Sequence, residues 1–198
     1  MLNKASQILL LTTSFLLLLL YFFPLWSINL EAPQYPEGIG LYIWLDTITG
    51  KNPHDLKNIN GLNHYIGMKE IHPESIPELK IMPFIVAGLI VFGLFGALVK
   101  KKSLLYLWLF LLIIVCVVGL TDFYLWEYDY GHNLNPKAAI KIPGMNYQPP
   151  LIGSKQLLNM RTTSLPAVGG WIIITVVLLG FTAVYFEVKS KMKRAKGV

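Results

Sequence analysis

The sequence predicts an all-α transmembrane protein: a four-helix membrane bundle with a small extracytoplasmic layer, partly β or extended, built from two long loops. Three observations predict it. Hydrophobic residues make up 54% of the 198 and charged residues 14%, whereas a soluble domain carries about 25% charge. Four apolar runs, free of Asp, Glu, Lys, Arg and His, each come close to the roughly 20 residues a helix needs to cross a bilayer. Between them lie two long stretches that hold most of the prolines and all four histidines.

The first run is Ile8 to Trp26, "ILLLTTSFLLLLLYFFPLW". It exceeds the roughly 7–15 apolar residues of a signal peptide, and "FFPLWSINLEAP" has no small-x-small cleavage site, so it reads as a retained anchor. The first loop, Ser27 to Lys80, contains "GIGLYIWLDTITG", in which Leu41, Ile43 and Leu45 alternate on one face between glycines, as in a strand. The second and third runs, Ile81 to Val99 and Ser103 to Thr121, are joined by little more than "KKKS". A link that short makes an antiparallel hairpin. Gly93 and Ala97 form a small-xxx-small pair that lets a neighbouring helix approach closely. Asp122 to Val168 is the second loop, where "IPGMNYQPPLIG" reads as extended and stiffened by proline. The fourth run is Gly169 to Phe186, and residues 1–198 read as a single membrane domain.

Charge sets the orientation. Lys4, the Lys100–Lys102 cluster and the tail "EVKSKMKRAKGV" fall on one side of the four runs, which the positive-inside bias makes cytoplasmic. Both termini are then cytoplasmic and both loops external. The net charge of +6 is thus a topology signal and gives no support for nucleic-acid binding. With no ionisable residue in the runs, the proton and ion pathways that depend on such groups at membrane depth are disfavoured. A haem held by histidines between the helices is excluded. The single cysteine, Cys116, lies mid-membrane and permits no internal disulfide; it reads as a small packing residue.

The chemistry-bearing residues are in the loops. In "LNHYIGMKEIH", His64, Met68 and His72 sit at i, i+4 and i+8, one face if the segment is helical, although Gly67 and Pro73 weaken that helix. Imidazole with thioether suits copper, thioether favouring Cu(I), whereas zinc more often takes cysteine or carboxylate with histidine. The alternative reading packs Met68 inward and leaves His64 to cap or hydrogen-bond locally. "TDFYLWEYDYGHNLNP" brings Asp122, Glu127, Asp129 and His132 close in sequence. Its aromatic residues fit a membrane-interface belt. The carboxylates are either metal ligands, groups that orient a ligating His132 from behind, or plain solvated acids. Met145 follows Gly144 on the proline-stiffened stretch. The copper set expected from these residues is His64, Met68, His132 and Met145, with Asp129, Asp122, Glu127 and His72 behind it.

At "LEAPQYPEGIGLYIW", "INGLNHYIGMKEI" and "WEYDYGHNLNPKAAIKIPGMNYQPPLIG" the chain resembles a family of small four-helix bacterial membrane proteins. They are encoded beside genes for maturing copper-dependent nitrous oxide reductase. The resemblance covers Leu30–Ile71 and Trp126–Gly153. It implies copper delivery or reductase assembly outside the bacterial inner membrane, and it assigns no ligands. The leading expectation is a membrane-bound accessory protein for copper handling, with the lipid bilayer, a periplasmic copper protein or other maturation proteins as partners. Its rivals are a metal-free assembly or anchoring subunit, and a redox enzyme with a quinone or metal site at the outer surface.

Overall fold

A computed structural model describes residues 1–195, with side chains as far as Ser190. Lys196 of the basic tail lies outside the described residues, as do the side chains of Lys191, Lys193 and Arg194. Five helices are formed: α1 (Lys4–Leu18), α2 (Asp55–Ile66), α3 (Pro77–Val99), α4 (Lys102–His132) and α5 (Val168–Ala195). The strands are β1 (Trp26–Ala32), β2 (Tyr35–Ile43), β3 (Ile48–Gly50), β4 (Gly153–Leu157) and β5 (Met160–Pro166).

Four of these helices (α1 with the helical turn that follows it, α3, α4 and α5) are long and apolar enough to cross a membrane. They pack as a ring in which α1 touches α3 and α5, and α4 touches the same two. Trp108 of α4 is fully buried at the centre, and its indole N–H donates to the Leu89 carbonyl at 2.8 Å. Gly93 leaves the room for this: a Cβ there would lie 2.2 Å from Ser14 Oγ and 2.8 Å from Trp108 Nε1. One end of the bundle is tied by polar groups. The buried Glu187 carboxylate of α5 accepts from the Asn3 backbone N–H and pairs with Lys102 Nζ at 2.7 Å. The Lys100 carbonyl accepts from the Leu2 N–H at 2.6 Å. The start of α1, the lysine link and the end of α5 therefore share one end of the bundle.

The opposite end corrects the all-α expectation. The protein is mixed α/β, 58% helical, with a five-stranded antiparallel sheet. Its order is β3-β2-β1-β5-β4. β1 is the seam between the two loops. It pairs with β2 from Trp26↔Ile43 to Ala32↔Tyr35 and with β5 from Trp26↔Pro166 to Glu31↔Arg161. The loops thus form one layer with a continuous hydrogen-bonded sheet. The strands follow from alternation within short segments. In β1, Trp26, Ile28 and Leu30 alternate with Ser27, Asn29 and Glu31. In β5 the buried face is Met160, Thr162 and Ser164. Two of these three are small and polar, so apolar periodicity does not reveal the strand.

α2 and the end of α4 cover the sheet. Ile28, Leu41, Ile48, Ile71 and Leu79 form this second core, packed by Leu56 and Ile59 of α2 and by Phe123, Trp126 and Tyr130 of α4. α4 has 31 residues, about 46 Å at 1.5 Å per residue, against a hydrocarbon core of roughly 30 Å. Its turns after Thr121 are therefore surplus to the crossing and belong to the sheet layer.

Candidate functional site: a cavity between the sheet and α4

Between the sheet, α2 and the last turns of α4 lies a cavity of about 80 Å³, walled mainly by apolar side chains such as Ile28, Leu30 and Leu41. Its polar and sulfur-bearing side chains give it chemical character. Glu127, from α4, has none of its surface exposed. Among the described residues, neither carboxylate oxygen has a hydrogen-bond partner and no basic side chain pairs with it. Burial pushes its carboxyl up to about 8, because a low-polarity surrounding disfavours the charged form. Tyr147 Oη and Thr162 Oγ1 are likewise buried without a hydrogen-bond partner among the described residues. Met68 and Met160 also line the cavity. Buried polar atoms are ordinarily satisfied; here three side chains with unmatched oxygens, and Trp126 with an unmatched indole N–H, line one space.

Local sequence explains how they arrive there. α2 stops at Gly67, whose φ is +83°, a left-handed value that glycine adopts without a Cβ clash. The same glycine is a close contact: a Cβ would lie 2.9 Å from Ala138 Cβ and 3.0 Å from the Asn135 carbonyl oxygen. The Asn135 N–H donates to the Gly67 carbonyl at 2.7 Å. The chain leaves the helix one residue before Met68, which turns it onto the cavity instead of continuing the face that carries His64. Asn60 holds the exit segment, its side chain accepting from the Ile71 N–H at 2.8 Å and donating to the Ile71 carbonyl at 3.1 Å. Tyr147 is set by its own N–H donating to the Gly131 carbonyl at 2.9 Å. A Cβ on Gly131 would lie 2.4 Å from the Gln148 backbone. Met160 and Thr162 come from alternate positions of β5.

Of the four residues expected to bind copper, Met68 alone lines this cavity. His64 is exposed on α2, beside an open surface groove that also contains Glu70 and His72. His132 stacks on Tyr128, ring centroids 3.9 Å apart, and its Nδ1 lies 3.0 Å from the Tyr128 carbonyl oxygen, a bond it makes as donor. Met145 is half-buried in a turn, its N–H donating to the Ile142 carbonyl at 3.1 Å.

The residues expected behind them are dispersed too. Asp129 pairs with Lys69 at 2.6 Å and accepts from Asn133. The hydrogen bond from Lys69 holds its carboxyl below the usual carboxylate range. Asp122 is half-buried with Glu78 as its charged neighbour. His72 lies 3.3 Å from Glu70. Among the described residues no three His, Cys, Asp or Glu side chains converge as a metal-holding group. Met160, Tyr147 and Thr162 were not expected. The only signal for Met160 and Thr162 is the period of two in "MRTTS", legible once that segment is known to be a strand.

Compared with known protein families and curated proteins, the chain matches no family model and no curated sequence.

Proposed function

We propose that this chain is a membrane-bound accessory protein that handles copper during maturation of a copper enzyme outside the cytoplasmic membrane. In this reading it is a multi-pass protein of the bacterial inner membrane with cytoplasmic termini. The sheet layer faces the periplasm and a periplasmic copper protein, of the nitrous oxide reductase type, is the client. The observation that carries the reading is the meeting of thioethers in the sheet layer. Met68 from the first loop and Met160 from the second line one buried cavity, and thioether sulfur is a Cu(I)-selecting donor. The lysines gathered at the other end of the bundle support the orientation, and the resemblance to proteins encoded beside reductase-maturation genes agrees with the client.

Metal analysis of protein purified in mild detergent from copper-supplemented cells tests it. Copper retained in near-stoichiometric amount is the expected result, together with a copper-poor reductase in cells lacking this chain. Protein free of copper alongside a fully metallated reductase overturns the reading in favour of a metal-free anchoring subunit.

A further inference from the structure

We infer that the cavity beneath the sheet is a binding site for a soft monovalent cation, held by the Glu127 carboxylate and the thioethers of Met68 and Met160. This names the site for the copper-handling function proposed above and rests on that reading. A carboxylate taken wholly out of water without a counter-charge is among the costliest groups a protein can bury. Glu127 is fully buried, and no cationic side chain is paired with it among the described residues. A buried acid of this kind is either kept neutral by its proton or paired with a cation, and a bound cation supplies that pairing charge.

The other donors decide which cation. Calcium takes six to eight oxygen ligands, and magnesium a near-ideal octahedron. The oxygens the cavity offers come from one carboxylate, the Asn63 amide and the hydroxyls of Tyr130, Tyr147 and Thr162, and the walls are otherwise apolar, so a doubly charged, strongly hydrated ion would keep excess charge in a low-polarity space. Structural zinc sites use thiolate and imidazole, and neither lines this cavity. The two thioethers match Cu(I), and its redox-inert analogue Ag(I), in softness, and the single carboxylate matches their charge. The ion and Glu127 together are neutral, which suits walls that are otherwise apolar. The Tyr147 and Thr162 hydroxyls remain free to hold water beside the ion.

The site joins three parts of the sheet layer. Met68 follows α2, Glu127 lies in the last turns of α4 and Met160 opens β5. A cation bound there cross-links segments otherwise held by the sheet seam and the second core, so binding also stabilises the layer.

The test is a titration of the purified full-length protein in detergent with Ag(I), and with Cu(I) under anaerobic competition from a chelator. It compares wild type with Glu127→Gln, with a Met68→Leu/Met160→Leu double variant, and with a His64→Ala/His132→Ala/Met145→Leu variant. Glutamine and leucine conserve volume, and thermal melts of the metal-free variants confirm that each is folded. The expected result is one ion per chain, with affinity lowered roughly 10- to 100-fold in Glu127→Gln and further in the double methionine variant. The His64/His132/Met145 variant binds as wild type does. Unchanged affinity in the double methionine variant overturns the site. If affinity is lost instead in the His64/His132/Met145 variant, copper handling stands and this site falls. If wild type binds neither ion and the cavity holds water only, both fall.

Discussion

Two acids two residues apart on α4 have opposite surroundings. Asp129 is partly exposed and paired with Lys69 at 2.6 Å. Exposed pairs of this kind contribute about 0–1 kcal/mol, so Asp129→Asn should change thermal stability little. Glu127 is buried and unpaired, with its carboxyl raised by burial from 4.5 to about 8. In the metal-free protein the unfolded chain then releases this proton from about pH 4.5, whereas the folded chain keeps it until about pH 8. Stability is highest below the lower value, falls as pH rises through the window, and levels off above the upper one, by an amount on the order of 5 kcal/mol. Glu127→Gln removes the titrating group and should flatten the fall. Melting temperatures measured from about pH 5 to pH 8 check this. Equal slopes in wild type and variant would mean that Glu127 is solvated. The sequence places Asp122, Glu127 and Asp129 on one segment but does not separate them. Which acid is buried depends on where the sheet packs.

At the scale of elements, close approaches are made at glycines, and they can be told apart by substitution. Gly131 sits against the backbone of Gln148, 2.4 Å from where a Cβ would be. Backbone cannot move aside as a side-chain tip can, so Gly131→Ala should cost about 1–3 kcal/mol and loosen Tyr147. Gly119, on the same helix, has nothing within 4 Å of its Cβ position. There the helix preference for alanine, up to about 1 kcal/mol, acts unopposed, and Gly119→Ala should be neutral or stabilising. Unfolding of the two variants in detergent distinguishes the sites; equal effects would contradict the packing of the second loop on α4. Gly93 and Ala97, legible in the sequence as a close-contact pair, lie buried within the bundle. The four long apolar helices were legible because apolar length is a local property. The sheet was not. β4 has one buried apolar residue, Leu157, and β5 buries Thr162 and Ser164, so both strands exist through pairing with distant partners. The i, i+4 reading of His64 and Met68 failed at Gly67, which ends the helix between them.

Across the whole molecule, the lysine-bearing end of the bundle and the sheet lie at opposite ends of the crossing helices. With Cys116 replaced by alanine, cysteines introduced at the exposed positions Glu74 and Lys141 should label with a membrane-impermeant reagent in intact spheroplasts. A cysteine at the exposed Ser103 should label only after lysis; the reverse pattern would invert the orientation. The pairing of β1 with β5 makes the two loops one body, and only in such a body do Met68, Glu127 and Met160 share a cavity. No stretch of sequence brings these three within a helical turn or a strand of one another, so the site becomes visible only with the fold. X-ray absorption at the copper edge of the Cu(I)-loaded protein tests this account most directly. Two sulfur neighbours and one oxygen, with the sulfur lost in the Met68→Leu/Met160→Leu variant, are the predicted result. A shell of imidazole nitrogen alone, or a sulfur signal unchanged in that variant, would contradict it.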